Sequence, residues 1–237
     1  MDLESAISWY ESDRFNAEDM QRATGLSERS QRELLKLGIL QAIPQSRTAT
    51  RLFNARMLKR ASLIYPIHEH GGFSLLVSGK LVYADMILES LLFDLIDPWK
   101  ALLRKAPSAE KELGWWWTSS EQPSTEPTDY YIVLINRHYV ASGNASSLRV
   151  YGHLTEDRSD IVVHRGTVYR DLIEPTLHPR STLTGKSRIF ESKSVSKSEQ
   201  DAAKRALDNP ISKFSVNASL TLRIAIRRLL KIDGGPS

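Results

Sequence analysis

Residues 16–38 contain two complete start-and-stop cycles for a short helix, and this spacing constrains the fold more than any other feature of the chain. Asn16 is a good N-cap, because its side-chain oxygen can accept from the free amides of a first turn. Asp19 places negative charge near the positive end of that helix. Phe15 and Met20 occupy the two positions of a hydrophobic staple. The pattern predicts a helix over residues 17–23, followed by a tight turn at Gly25, where glycine tolerates positive φ. Ser27 is the next N-cap, and a second helix follows over residues 28–37 with Leu34, Leu35 and Leu37 on its apolar face. Gly38 fits a left-handed stop, and Ile39 can then pack back on Leu34. Two short helices joined by a glycine turn form a helix-turn-helix, whose second helix enters the major groove of DNA. The spacing turns Glu28, Arg29, Ser30, Gln31, Arg32 and Glu33 outward near its start. Arg29, Gln31 and Arg32 carry the forked groups that contact base edges or phosphates.

The following residues extend the pattern. Residues 41–50 are polar and include Pro44 and Arg47, and Arg51-Leu52-Phe53 has the composition of a short strand, so the segment reads as a wing. Asn54 caps a third helix over residues 55–65, with Met57, Leu58, Ala61, Leu63 and Ile64 as apolar contacts. With these residues in place, the stretch resembles the DNA-binding domain of MerR-type regulators. Ala23-Thr24-Gly25-Leu26-Ser27 matches the family's turn, and Ser30 and Arg32 match its threonine and arginine. Gly38-Ile39-Leu40 matches the helix end, and Arg51-x-Phe53 matches the wing close. The match is free of gaps over residues 25–40 and departs from the family at Gln31, Glu33 and Leu34. The resemblance implies a winged helix-turn-helix that activates or represses transcription by reshaping promoter DNA. The implied contacts are Ser27, Arg29, Ser30, Gln31 and Arg32 from the helix, with Arg47 and Arg51 holding phosphates from the wing. The family continues into a long dimerising helix; here Pro66 and Gly71-Gly72 interrupt it.

Composition bounds the rest. The chain has 237 residues, 41% of them hydrophobic and 25% charged, ordinary values for a soluble globular protein. No apolar run is long enough for a membrane span. The acidic N-terminus does not read as a signal peptide, so a cytoplasmic protein is expected. Cysteine is absent, which excludes disulfides, thiolate metal sites and cysteine nucleophiles. The net charge of +4 is uneven: residues 1–64 carry +2, residues 65–177 carry −5 and residues 178–237 carry +7. A basic end adds sequence-independent affinity for nucleic acid.

Several further elements are expected along the chain. Residues 1–14 form a short helix with Leu3, Ile7, Trp9 and Tyr10 as contacts. A core or subunit-interface helix spans residues 80–97, another covers residues 99–106, and Trp115-Trp116-Trp117 cannot all face one side of a regular element. Residues 118–128 are a polar, proline-containing linker. Residues 130–140, 148–154, 161–163 and 168–169 read as strands of a small antiparallel sheet, with turns at residues 142–144, 157–159 and 165–166. Residues 178–198 read as an extended, solvated segment. Ser198 and Asp201 start a helix through Leu207, and Asn217 caps a last helix over residues 218–232, with Arg223, Arg227 and Arg228 as a solvated basic strip.

No catalytic constellation emerges. His68 and His70 lack a second metal-ligand pair, and no phosphate loop, nucleophile elbow or dinucleotide fingerprint is present. The fold class read from the chain is α+β: an N-terminal winged helix-turn-helix (residues 1–66), a helical dimerisation or connecting region (67–117), the linker (118–128), and a sheet with C-terminal helices (129–237). The expected activity is sequence-specific DNA binding in transcription regulation, without enzymatic chemistry, cofactor or metal. The expected partners are double-stranded DNA and a second copy of the chain, with RNA polymerase or a small-molecule effector for the C-terminal region, and no membrane. The alternatives are an architectural or excision-type DNA-binding factor, or a protein-interaction module with a degenerate helix-turn-helix.

Overall fold

The computed structural model describes residue 12 and residues 14–43, 50–84, 129–165 and 191–229. The expectations for residues 1–11, Arg47, residues 85–106, Trp115-Trp116-Trp117, the linker, residues 168–169 and residues 230–232 lie outside these. Among the described residues the protein is α+β, with helices at both ends of a single mixed sheet in the chain order. No helix among them is long and apolar enough to cross a membrane.

The N-terminal helices form as their caps dictate. Helix α1 (Ala17–Thr24) starts at Asn16, whose side chain accepts from Glu18 and Asp19, while Asp19 reaches back to the Asn16 amide. This capping box satisfies three otherwise orphaned donors. Phe15 and Met20 are both buried. Gly25 closes the helix at φ 84°, and a side chain there would also meet the Tyr65 ring at 2.9 Å. Helix α2 (Glu28–Lys36) is capped by Ser27. Its end is a Schellman motif: the Gly38 amide donates to Leu35 and the Ile39 amide to Leu34, at 3.1 and 2.9 Å. Phe15 and Phe53 exchange two backbone hydrogen bonds as an isolated antiparallel bridge, and the Ile43 amide donates to Leu52 at 2.8 Å. These bonds hold Ile43 beside Leu52 and Phe53 beside Phe15, and place Asn54 as the cap of α3 (Ala55–Glu69).

Helix α3 passes the proline that was expected to stop it. Pro66 sits in its final turns, and its carbonyl accepts from the amides of His70 and Gly71. The continuous helix still ends here, at Gly71 and Gly72, the latter at φ 71°. Helix α4 (Leu75–Ala84) then turns back against α2 and α3. It therefore begins earlier than the helix expected from residue 80. A Cβ at Gly79 would meet Ile39 at 2.6 Å, so the missing side chain permits the close approach of α4.

The sheet has the order β5-β4-β3-β2-β1-β6. Its strands are β1 (Tyr130–Ile135), β2 (Tyr139–Asn144), β3 (Arg149–Leu154), β4 (Ile161–Arg165), β5 (Glu191–Ser194) and β6 (Lys213–Asn217). The stretch 130–140, read as one strand, is a hairpin. Asn136 and Arg137 adopt φ 54° and 53°, and the His138 amide donates back to Ile135. Asn136 also accepts from Ile211 and Ser212, which aligns β6 on the far side of β1. The turn expected at residues 142–144 falls later, because Ser142, Gly143 and Asn144 still pair with β1. A bulge in β3 turns Tyr151 toward the N-terminal helices, where its hydroxyl donates to Leu81. The sheet was expected to be antiparallel throughout, but β5 joins its edge parallel to β4. A parallel neighbour requires a crossover rather than a hairpin, and strand patterns alone do not reveal that choice. β6 was not anticipated either.

Alternation assigns the two faces of the sheet. Tyr130, Ile132, Leu134, Val140, Leu154, Ile161 and Val216 join the buried cluster of the N-terminal helices. Val133, Ile135 and Ala141 join a smaller cluster with Ala206 of α5 (Lys197–Asp208). The cap of α5 is Ser196 paired with Glu199, two residues before the expected start. Helix α6 (Ala218–Leu229) is capped by Asn217 and buries Ala218, Leu222, Ala225 and Leu229 against α1, α3 and β1. Apolar residues from both ends of the chain therefore share one cluster.

Candidate nucleic-acid interface

The exposed part of α2 faces solvent in the presence of the C-terminal helices. Ser27, Glu28, Arg29, Arg32, Glu33 and Lys36 are exposed, and Ser30 is half-buried. Ser27 is already engaged as the cap: its hydroxyl oxygen accepts from the Ser30 amide and lies 3.0 Å from the Ser30 hydroxyl. Arg32 lies one turn after Glu28 and is paired with it at 2.6 Å, with 56% of its side chain exposed. A solvated pair at this spacing contributes a few tenths of a kcal/mol, so a phosphate can displace the carboxylate at small cost.

Arg51 approaches from the other side. It is exposed on the strand-like residues before Phe53, which the Phe15–Phe53 bridge fixes beside the start of α1. Arg32, Arg51, Glu28 and Thr50 rim a shallow recess of about 240 Å³, with Gln31 and Phe53 among the residues below them. The fold thus brings together two arginines separated by nineteen positions. Arg29 is exposed but does not line this recess, and Arg47 lies outside the described residues.

Gln31 requires a correction. It was expected to face outward for base contact, but it is 1% exposed. Its amide nitrogen donates to the carbonyls of Ala17 and Leu26, at 3.0 and 2.9 Å, and so braces α2 against the start of α1 and the turn. The signal was present in the spacing: Gln31 lies three and four residues before Leu34 and Leu35, between them on the helical wheel. Leu37, assigned to the apolar face, is instead exposed at the C-cap.

The basic strip of α6 also needs correction. Arg223 and Arg227 are buried and Arg228 alone of the three is exposed. Arg223 makes a two-pronged contact with Asp129, Nη1 to Oδ1 at 2.8 Å and Nη2 to Oδ2 at 2.9 Å, and Asn217 donates to the same carboxylate at 2.7 Å. Nothing in the helical spacing identifies the partner, which lies 94 positions earlier in the sequence.

Compared with family models, curated proteins and solved structures, the chain matches none of them.

Proposed function

We propose that this protein is a sequence-specific DNA-binding regulator of transcription, with α1, α2 and the returning residues 41–53 acting as a winged helix-turn-helix. The observation that carries the reading is the convergence of Arg32 and Arg51 on one recess beside the exposed start of α2. Arginines from a helix and from a wing-like return can grip the backbone on one side of a groove, while Arg29 and Ser30 meet base edges within it. Phosphate contacts position the helix, and base contacts select the sequence. A pair of half-sites read by two copies of the chain fits this use of the motif.

The mixed charge of the same surface favours a second reading. Glu28 and Glu33 accompany the cations of α2, and Arg32 is already paired. Such a face suits a protein partner. Selection of DNA from a random library with the full chain, followed by binding across salt concentrations, separates the two. The DNA reading predicts an enriched site, and Arg32→Ala and Arg51→Ala variants that keep the fold but bind more weakly. Each variant that loses one phosphate contact lowers the steepness of log K against log salt by about 0.9. Undiminished binding by both folded variants, or no salt-sensitive binding by the parent, overturns the proposal.

A further inference from the structure

Three histidines form a row on the α5 side of the sheet, away from the candidate interface. His138 closes the β1–β2 turn, His153 lies on β3 and His164 on β4. The His138 and His153 rings are 5.2 Å apart at their centroids, and those of His153 and His164 are 5.1 Å apart. His153 Nδ1 and His164 Nε2 are 2.8 Å apart, the separation of a hydrogen bond. Among the described residues no group of three or more His, Asp or Glu is arranged to hold a metal ion.

A hydrogen bond between two imidazoles requires one nitrogen to donate and the other to accept. The accepting ring is neutral. If both rings become cationic, two N–H groups confront each other and the contact is lost. His164 is 8% exposed, so water cannot take over the charge without an opening of the structure. Among the described residues, the following groups face it. His153 faces it from β3 and His138 stands behind that ring, with Tyr139 edge-on to His138. Glu199 acts on it from the first turn of α5, and its backbone partner on β5 is Lys193. Burial first, then His153, lowers the His164 pKa from 6.5 to about 4; Glu199 opposes this and His138 adds to it. Glu199 also caps α5, accepting from the Ser196 amide and hydroxyl at 2.8 and 2.7 Å. The carboxylate facing His164 is thus the one that starts the helix covering Val133, Ile135 and Ala141.

We propose that this histidine row is an acid-sensitive latch between β3 and β4, closed while the His153–His164 pair shares a ring proton, and that protonation of both rings displaces the β5–α5 segment covering them, against the attraction of Glu199, so that water reaches the charge. The closed form binds the second proton more weakly than the open form. Opening is therefore favoured as pH falls from 6.5 and saturates below about 4. A depression from 6.5 to about 4 corresponds to proton binding about 300-fold weaker in the closed state. Release would expose the small apolar cluster beneath α5.

The test uses the full chain, with imidazole resonances and backbone amide exchange followed across the same pH range and exchange corrected for its intrinsic pH dependence. The expected result is loss of protection in α5, by about tenfold or more, while α3 remains protected. His164 should stay neutral in the closed state well below pH 6.5. His164→Leu removes the buried proton acceptor and should keep α5 protected in acid. If that variant does not fold, His164→Asn keeps hydrogen-bonding groups but carries no titratable ring, and should do the same. Unchanged α5 protection in the parent, independent titration of both rings near 6.5, or acid opening that persists in the folded variant would overturn the latch.

Discussion

Replacing Asp129 with alanine tests whether α6 is held to the start of β1 by one buried contact. Asp129 is 1% exposed and accepts from Arg223 through both oxygens and from Asn217 through one. Its backbone neighbour Tyr130 also donates from its amide to Ser219, at the start of the same α6. Asp129→Ala would leave the Arg223 guanidinium buried without this carboxylate. Removing one partner from a buried ion pair costs about 3–5 kcal/mol, because the remaining charge keeps its desolvation cost and loses its compensation. With a urea dependence of roughly 2 kcal/mol per molar, the unfolding midpoint should fall by about 2 M. Because α6 lies on α1 and α3 as well as on β1, helical and tertiary signals should be lost in the same transition. The double variant Asp129→Leu with Arg223→Met replaces both charges by apolar groups and should recover most of the loss. A single substitution that costs less than about 1 kcal/mol, or a double variant as unstable as the single, would refute the reasoning.

Two smaller perturbations probe the N-terminal helices. Gln31→Ala leaves the Ala17 and Leu26 carbonyls without their shared donor and should destabilise the fold by about 1–3 kcal/mol, measured by denaturant unfolding; a neutral result would remove Gln31 as a brace. Gly79→Ala puts a methyl group 2.6 Å from Cγ2 of buried Ile39, which lies close to its own backbone and cannot swing aside. Overpacking of this kind costs about 1–3 kcal/mol and outweighs the helix propensity that alanine adds, so the melting temperature should fall; a rise would show that α4 does not approach α2 this closely.

Much of the first eighty residues was legible because the signals there are local. Asn16 with Asp19, Ser27, Gly38 with Ile39, and Asn54 each act within one turn of the backbone they satisfy, so spacing alone places them. The strands after residue 129 were legible in composition for the same reason. Their partners were not. Asn136 and Arg137 turn the chain without glycine, and the support for that conformation comes from bonds to residues 211 and 212.

What the amino-acid sequence by itself determined is where the N-terminal helices begin, which stretches after residue 129 are rich in strand-forming residues, and which exposed cations α2 carries. Only the tertiary structure decided that Arg32 and Arg51 line one recess, that Gln31 is a buried brace, and that Arg223 belongs to Asp129. It also decided that three histidines on separate strands form one row. Caps and periodicity are set by neighbours within four residues, whereas the burial and pairing of a polar group depend on chain segments that arrive from dozens of positions away. A sequence records that group but not what will meet it.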